Sequence, residues 1–241
     1  VDQTHPAPPP AGSTASPLPW LIGVQAARAN VWPGLCVQIS MAVLVMAYYR
    51  VGWSRPWFDW LAHAKQRGGF FFSVPAAMVA GGLVPEILRI VFFQGWRPRW
   101  HNVRDLAFTL PYWGTAGFTV DVLYRAQTLW FGSGIAWQTL AAKVCVDQFI
   151  YNPLYAAPVM TWAYEWRDRR FRFHNMSYLF TPEFYAARVF PTLIATWGVW
   201  IPLVTLIYAL PPLLQTPLFT LALSFWVLIV TYITSARHSG L

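Results

Sequence analysis

Residues 190–210 and 213–234 contain no charged side chain, and only the pair Pro211–Pro212 parts them. A helix rising 1.5 Å per residue needs roughly 20 residues to cross about 30 Å of hydrocarbon. Each stretch is long enough. Inside hydrocarbon every backbone N–H and C=O must be bonded within the protein, which leaves helices or a closed barrel. The apolar runs are continuous and lack alternation, so a barrel is excluded. The fold class is all-α, a polytopic transmembrane helix bundle.

The remaining chain repeats this pattern with a few charges added. Residues 32–49, Phe70–Phe93, 106–131 and 137–162 read as further helices, giving five or six spans. The uncertain one is 32–49, which is short and either crosses or lies in the interface. Three segments follow: a Pro-rich extended tail (1–20), an N-terminal helix with a basic connection (21–69), and a transmembrane helical domain (70–241). Prolines 75, 85, 111, 153, 158 and 202 fall inside helices, where the missing N–H should kink them towards neighbours.

Apolar residues make up 56% and charged residues 11%, against about 25% charged in soluble domains. The net charge of +8 is therefore a mark of topology and anionic-lipid contact, not of a nucleic-acid partner. Arg167, Arg169, Arg170 and Arg172 belong on the cytoplasmic or matrix side. Counting helices puts Arg97, Arg99, Arg104 and Arg237 there too. Arg50, Arg55, Lys65 and Arg67 then land on the opposite side, an exception to the rule. Trp96, Trp100, Trp130, Trp162 and Trp166 read as an interfacial aromatic belt. Gly81, Gly82, Gly114 and Gly117 read as close helix packing.

Cys36 and Cys145 stand alone in apolar text and read as small buried hydrophobes. His5, His63, His101, His174 and His238 lie outside the spans, so no facing pair is available for a metal or haem. No nucleophile–base, metal or phosphate-loop pattern is present, and the expectation is of no enzyme, no metal and no cofactor.

Charge enters lipid at three places. Glu86 with Arg89, Asp121 with Arg125, and Lys143 with Asp147 stand three or four residues apart, on one face of their helices. Ionised side chains at membrane depth face a protein interior or a water-filled cavity. These residues, with Gln148, are the candidate polar seam or pore, one layer where three helix faces meet. Each pair could equally neutralise itself and fix packing. Lys143 and Asp147 are expected to be an intrahelical ion pair.

The run Asp147-Gln148-Phe149-Ile150-Tyr151-Asn152-Pro153, with Lys143 before it and Gly117 and Tyr124 on the preceding helix, resembles the Mpv17/PMP22 family of small organellar membrane proteins. Trp197-Gly198-Val199-Trp200, then Tyr208, Pro212, Trp226 and Tyr232-Ile233-Thr234-Ser235, continue the resemblance from about residue 117 to the end. Ile201, Val204 and Ile207 replace the family's Pro, Gln and Asn, and Pro202 is displaced by one. The resemblance implies a four-helix membrane core with weakly selective channel behaviour. It also fits a homologue recruited as an accessory or scaffold subunit, with other membrane subunits meeting the tail and Trp-rich flanks. Lys65 and Lys143 are the only lysines among 17 basic residues. That bias favours a bacterial cytoplasmic membrane over the mitochondrial inner membrane or another organelle.

Overall fold

The structure, a computed structural model, describes residues 18–172 and 176–238. Among these residues it is all helical. The helices are α1 (Pro19–Ala29), α2 (Val31–Arg50), α3 (Arg55–Gly68), α4 (Phe70–Phe93), α5 (Trp100–Phe131), α6 (residues 137–168), α7 (Pro182–Tyr208) and α8 (Pro212–His238). The tail assigned to 1–20 lies outside the described residues except for its end, where Pro19 and Trp20 already open α1. His5 and His174 also fall outside.

Local chemistry sets the boundaries. Pro19, Pro56, Pro182 and Pro212 sit in first turns, where a missing N–H costs nothing. Thr181 caps α7 by accepting the N–H of Phe184 at 3.2 Å. Between α3 and α4 the chain reverses at Gly69, whose φ of +52° suits glycine.

Helices α2, α4, α7 and α8 are long and apolar enough to cross a membrane, α8 over Pro212–Val230. Residues 32–49 thus belong to a helix of spanning length. Helix α5 has 32 residues, about 48 Å at 1.5 Å per residue. It is longer than a hydrocarbon core is thick, but α5 and α6 are not among the helices apolar enough to cross.

Helix α8 packs against α2, α3, α4, α5 and α7. It sets Leu214, Leu218 and Ala222 into a core with Leu203, Ile207 and Tyr208 of α7, Val37 and Met41 of α2, and Leu123 and Tyr124 of α5. Helices α4 and α5 touch through small residues. A Cβ on Gly117 would stand 2.3 Å from that of Ala77, and one on Gly81 would strike the Trp113 ring. Helices α5 and α6 approach closely only over the first turns of α6. Beyond them side chains bridge the gap: Thr119 to Tyr151 at 2.9 Å, and Phe108 and Tyr112 edge-on to Tyr164.

The two ends of the bundle can be named from contacts. At the α3 end, the Tyr49 hydroxyl donates to the carbonyl of Ala209 at 2.6 Å. At the far end, Arg167 lies 5.7 Å from the Phe108 ring and Phe171 packs on the same ring. The two basic connections expected to share a side do share the far end. Lys65 is buried, so it drops out of the charge counted against the rule at the α3 end.

Two expectations are corrected, and the prolines show how the helices accommodate them. Cys36 and Cys145 are exposed rather than buried. Trp162 and Trp166 are half-buried, unlike the exposed Trp96, Trp100 and Trp130. The Trp162 indole N–H donates to the carbonyl of Leu179, so it serves packing as well as the interface. The prolines, finally, are accommodated in two ways. Pro75 and Pro85 flank a wider π-type turn at Met78–Leu83, and Pro153 lies inside another at Asp147–Ala156. Pro111 and Pro202 leave the α-helix unwidened.

Pro202 cannot bond the carbonyl of Gly198, one turn before it. The Gln38 side-chain amide on α2 donates to that carbonyl at 3.1 Å, and to Val199 at 3.0 Å. Gln38→Leu should therefore loosen α2 from α7, since an orphaned carbonyl costs about 1–3 kcal/mol. A thermal melt in detergent should show a lowered midpoint; an unchanged midpoint would count against this role.

Candidate functional site

The first polar node gathers on Asp121 of α5. Lys65 on α3 reaches its Oδ2 at 2.6 Å, with the two side chains 3% and 2% exposed. Ser73 on α4 donates to Oδ2 at 3.1 Å and Thr216 on α8 donates to Oδ1 at 3.3 Å. Lys65 also donates to Ser73 and to the carbonyl of Gly69. The expected partner, Arg125, does meet Asp121 at 3.3 Å, but it is half-exposed and stacks over Phe70. Asp121 thus has a donor on four helices and no free acceptor face.

The second node is Asp147 on α6. The Tyr208 hydroxyl of α7 donates to Oδ2 at 2.5 Å, and the Gln148 amide donates to Oδ1 at 2.8 Å. No ion pair joins Lys143 to Asp147, contrary to expectation. Helix spacing puts both on one side of α6, but the carboxylate is taken by α7. Lys143, fully buried, stands 5.8 Å from the Tyr208 ring centroid, and its Nζ has no hydrogen-bond partner. Gln127 on α5 is equally buried and faces the Tyr208 hydroxyl. Tyr124 presents an edge to Tyr208 with ring centroids 5.1 Å apart.

The third node is at the far end. Glu86 accepts from Arg89 at 3.3 Å and from the buried amide of Asn102, while Arg89 also pairs with Asp105. Asn102 and Asp121 are nineteen positions apart on α5, about 28 Å by helical rise. Glu86 and Arg89 therefore do not join Asp121 and Asp147 in one layer, and the single seam expected from the three pairs divides in two.

Between α5, α6 and α7 lies a cleft of ≈190 Å³. Asp147, Gln148, Tyr124 and Val204 mark its limit towards the α3 end, and Tyr112, Met160 and Thr192 its limit towards the far end. A broader groove of ≈620 Å³ adjoins it, sharing Tyr112 and Thr115 and reaching Arg104, Trp166 and Phe171. Among the described residues Asp147 is the only Asp, Glu, Lys, Arg or His that lines the cleft. Among the described residues no cluster of His, Cys, Asp and Glu could hold a metal.

The positions that carried the family resemblance make contacts between helices, and two pairs, Gln148 with Trp197 and Tyr124 with Tyr208, meet each other. Gln148 presents its carbonyl to the Trp197 indole at 3.1 Å, and Pro153 its carbonyl to the Tyr185 hydroxyl at 3.0 Å. Trp200 packs 5.7 Å from Phe219, Trp226 against the main core, and Pro212 opens α8. Compared with known proteins, the chain matches no family model, no curated protein and no solved structure.

Lys65 was missed by reasoning that searched only within spans. Its signal was present: Phe58, Leu61, Ala62 and Lys65 fall at i, i+3, i+4 and i+7, the buried stripe of an amphipathic helix. Lys65→Met should cost on the order of 3–5 kcal/mol, because it strands a buried carboxylate. The double variant Lys65→Met with Asp121→Asn should recover part of the loss. Detergent melts of both single variants and the double decide it; losses that simply add would mean the two side chains do not interact.

Proposed function

We propose that this chain is an integral membrane protein that modulates permeability, a weakly selective path for small solutes with no bond-making chemistry of its own. In this reading α5 and α6 cross the bilayer beside α2, α4, α7 and α8, making six spans. The carrying observation is the cleft between α5, α6 and α7, which reaches a buried carboxylate inside a bundle whose outer faces are apolar. Towards the α3 end the path is shut by the Tyr208–Asp147 hydrogen bond and by Tyr124 edge-on to Tyr208. Val204 keeps α7 apolar beside Asp147, while Thr192 and Thr196 add hydroxyls from α7 further along the cleft. Kinship with the Mpv17/PMP22 family is part of this proposal, and it rests on the residue run Asp147–Pro153 and the Trp197–Trp200 motif. The arginine-dominated basic complement supports a bacterial cytoplasmic membrane.

A second reading, an accessory or scaffold subunit, draws on α3 and the turn before it. There Trp53, Trp57 and Trp60 are 81%, 72% and 65% exposed, a row of rigid aromatic anchors suited to a neighbouring membrane subunit. Its mark would be a particle larger than one chain in mild native extracts.

Solute flux through proteoliposomes tests the first reading. Wild type should exceed empty liposomes. Tyr208→Phe should raise flux by up to about tenfold, the weight of one hydrogen bond holding the path shut. Wild type that adds nothing to empty liposomes would overturn it.

A further inference from the structure

We propose that the cleft is a binding site for a small organic cation, an ammonium carried on an aromatic or compact apolar group. The proposal shares the cleft with the permeability reading and names the ligand class that reading leaves open.

The acceptors come first. Among the described residues Asp147 brings the only carboxylate to the cleft, and no Lys, Arg or His lines it to act as counter-charge. Lys143, four positions before it, makes no ion pair with it. Gln148 spends its amide N–H on Asp147, which leaves its Oε1 as a second acceptor. That oxygen has no hydrogen-bond partner, in a residue 4% exposed that lines the same cleft. A carboxylate and an amide oxygen side by side, both on buried residues, match a donor-only group. An ammonium supplies up to three N–H bonds and the missing positive charge together. Tyr208 stays bonded to Oδ2, holding the carboxylate at the inner end of the cleft.

The walls fit the same ligand. Rings of Tyr112, Tyr151, Tyr155 and Trp200 line the cleft, and aromatic faces attract cations by their quadrupole. Volume sets the size. A dry cavity of about 150 Å³ holds benzene, so ≈190 Å³ suits one ring with a short ammonium arm. An anion is disfavoured by Asp147, and a neutral alcohol would leave one acceptor unmatched. Arg104, at the outer end of the adjoining groove, is exposed; salt screens its charge there.

The test uses full-length protein in nanodiscs, with empty nanodiscs subtracted for partitioning into lipid. Calorimetry compares phenethylammonium with 2-phenylethanol and with phenylacetate, three probes of one shape and different charge. The ammonium should bind at least about tenfold more tightly than the alcohol, as loss of a charge-assisted hydrogen bond implies. Phenylacetate should be weakest. Asp147→Asn should erase the gap between ammonium and alcohol, and Gln148→Leu should narrow it. Equal binding of ammonium and alcohol to wild type, or a gap that survives Asp147→Asn, would overturn the proposal. The wild-type comparison decides even where a variant does not fold. Binding is read at equilibrium without a gradient, so a protein that binds the ammonium and conducts nothing retains the site and loses only the permeability reading.

Discussion

The bundle is organised around one buried ion pair. Lys65 and Asp121 meet at 2.6 Å with almost no exposure, and Ser73 and Thr216 complete the shell. Four helices contribute, and α3 contributes the cation although its own length is too small for a crossing. Desolvating two charges repays little net stability, even in good geometry. What the pair does impose is register. Its geometry fails if α3 rotates, or if α8 slides by one turn past α5. The chain cannot place α3 against α4, α5 and α8 in another way without stranding a charge in lipid or protein.

The contrast with Asp147 then carries meaning. Both acids are buried and both lie towards the α3 end, yet one is saturated by donors from four helices and the other is not. Asp121 accepts a full cation. Asp147 accepts a phenol and an amide, neutral donors that orient a carboxylate without cancelling its charge. Meanwhile Lys143 Nζ and Gln148 Oε1 are buried polar atoms with no partner. Orphaned buried polar groups are costly, commonly on the order of 1–3 kcal/mol each. A bundle built only for packing would have replaced them with leucines at no loss.

Much of the architecture was legible in the sequence, because lipid makes strong demands on text. Residues 190–210 and 213–234 could hardly be anything but helices, and the glycines at 81 and 117 sit where α4 and α5 press together. The basic connections at Arg97 and Arg167 do share an end. What stayed hidden depends on partners distant in sequence. Offsets of three and four correctly placed Glu86 by Arg89 and Asp121 by Arg125, but could not weigh those neighbours against Lys65, fifty-six positions away. The same rule paired Lys143 with Asp147, while Tyr208, sixty-one positions on, had the better geometry. Cys36 and Cys145 misled for another reason: apolar text in lipid does not distinguish an inner face from an outer one. The cleft was illegible because it is the space left where α5 and α6 diverge, and no residue type encodes a separation.

That divergence links the fold to the proposed work. Helices pack closely where small residues or interdigitating ridges let them, as α4 and α5 do. Between α5 and α6 the contacts are long side chains: Tyr151 to Thr119, and Tyr164 against Phe108 and Tyr112. A gap held by tyrosines differs from one held by backbone contact. The ring edges and hydroxyls can exchange partners by rotamer changes, on timescales far shorter than helix displacement. The wide π-type turn at Asp147–Ala156 adds to this, since it lies along the same wall and contains both Asp147 and Tyr151. Such turns concentrate at functional sites, where the backbone aims side chains that a regular α-helix would direct elsewhere. Proline 153 stabilises the widening by withholding the N–H that a regular α-helix would need there. The acid, its neighbouring acceptor and the aromatic wall are thus presented by one irregular stretch of helix, clamped to α7 at Trp197 and Tyr185 and left open towards α5.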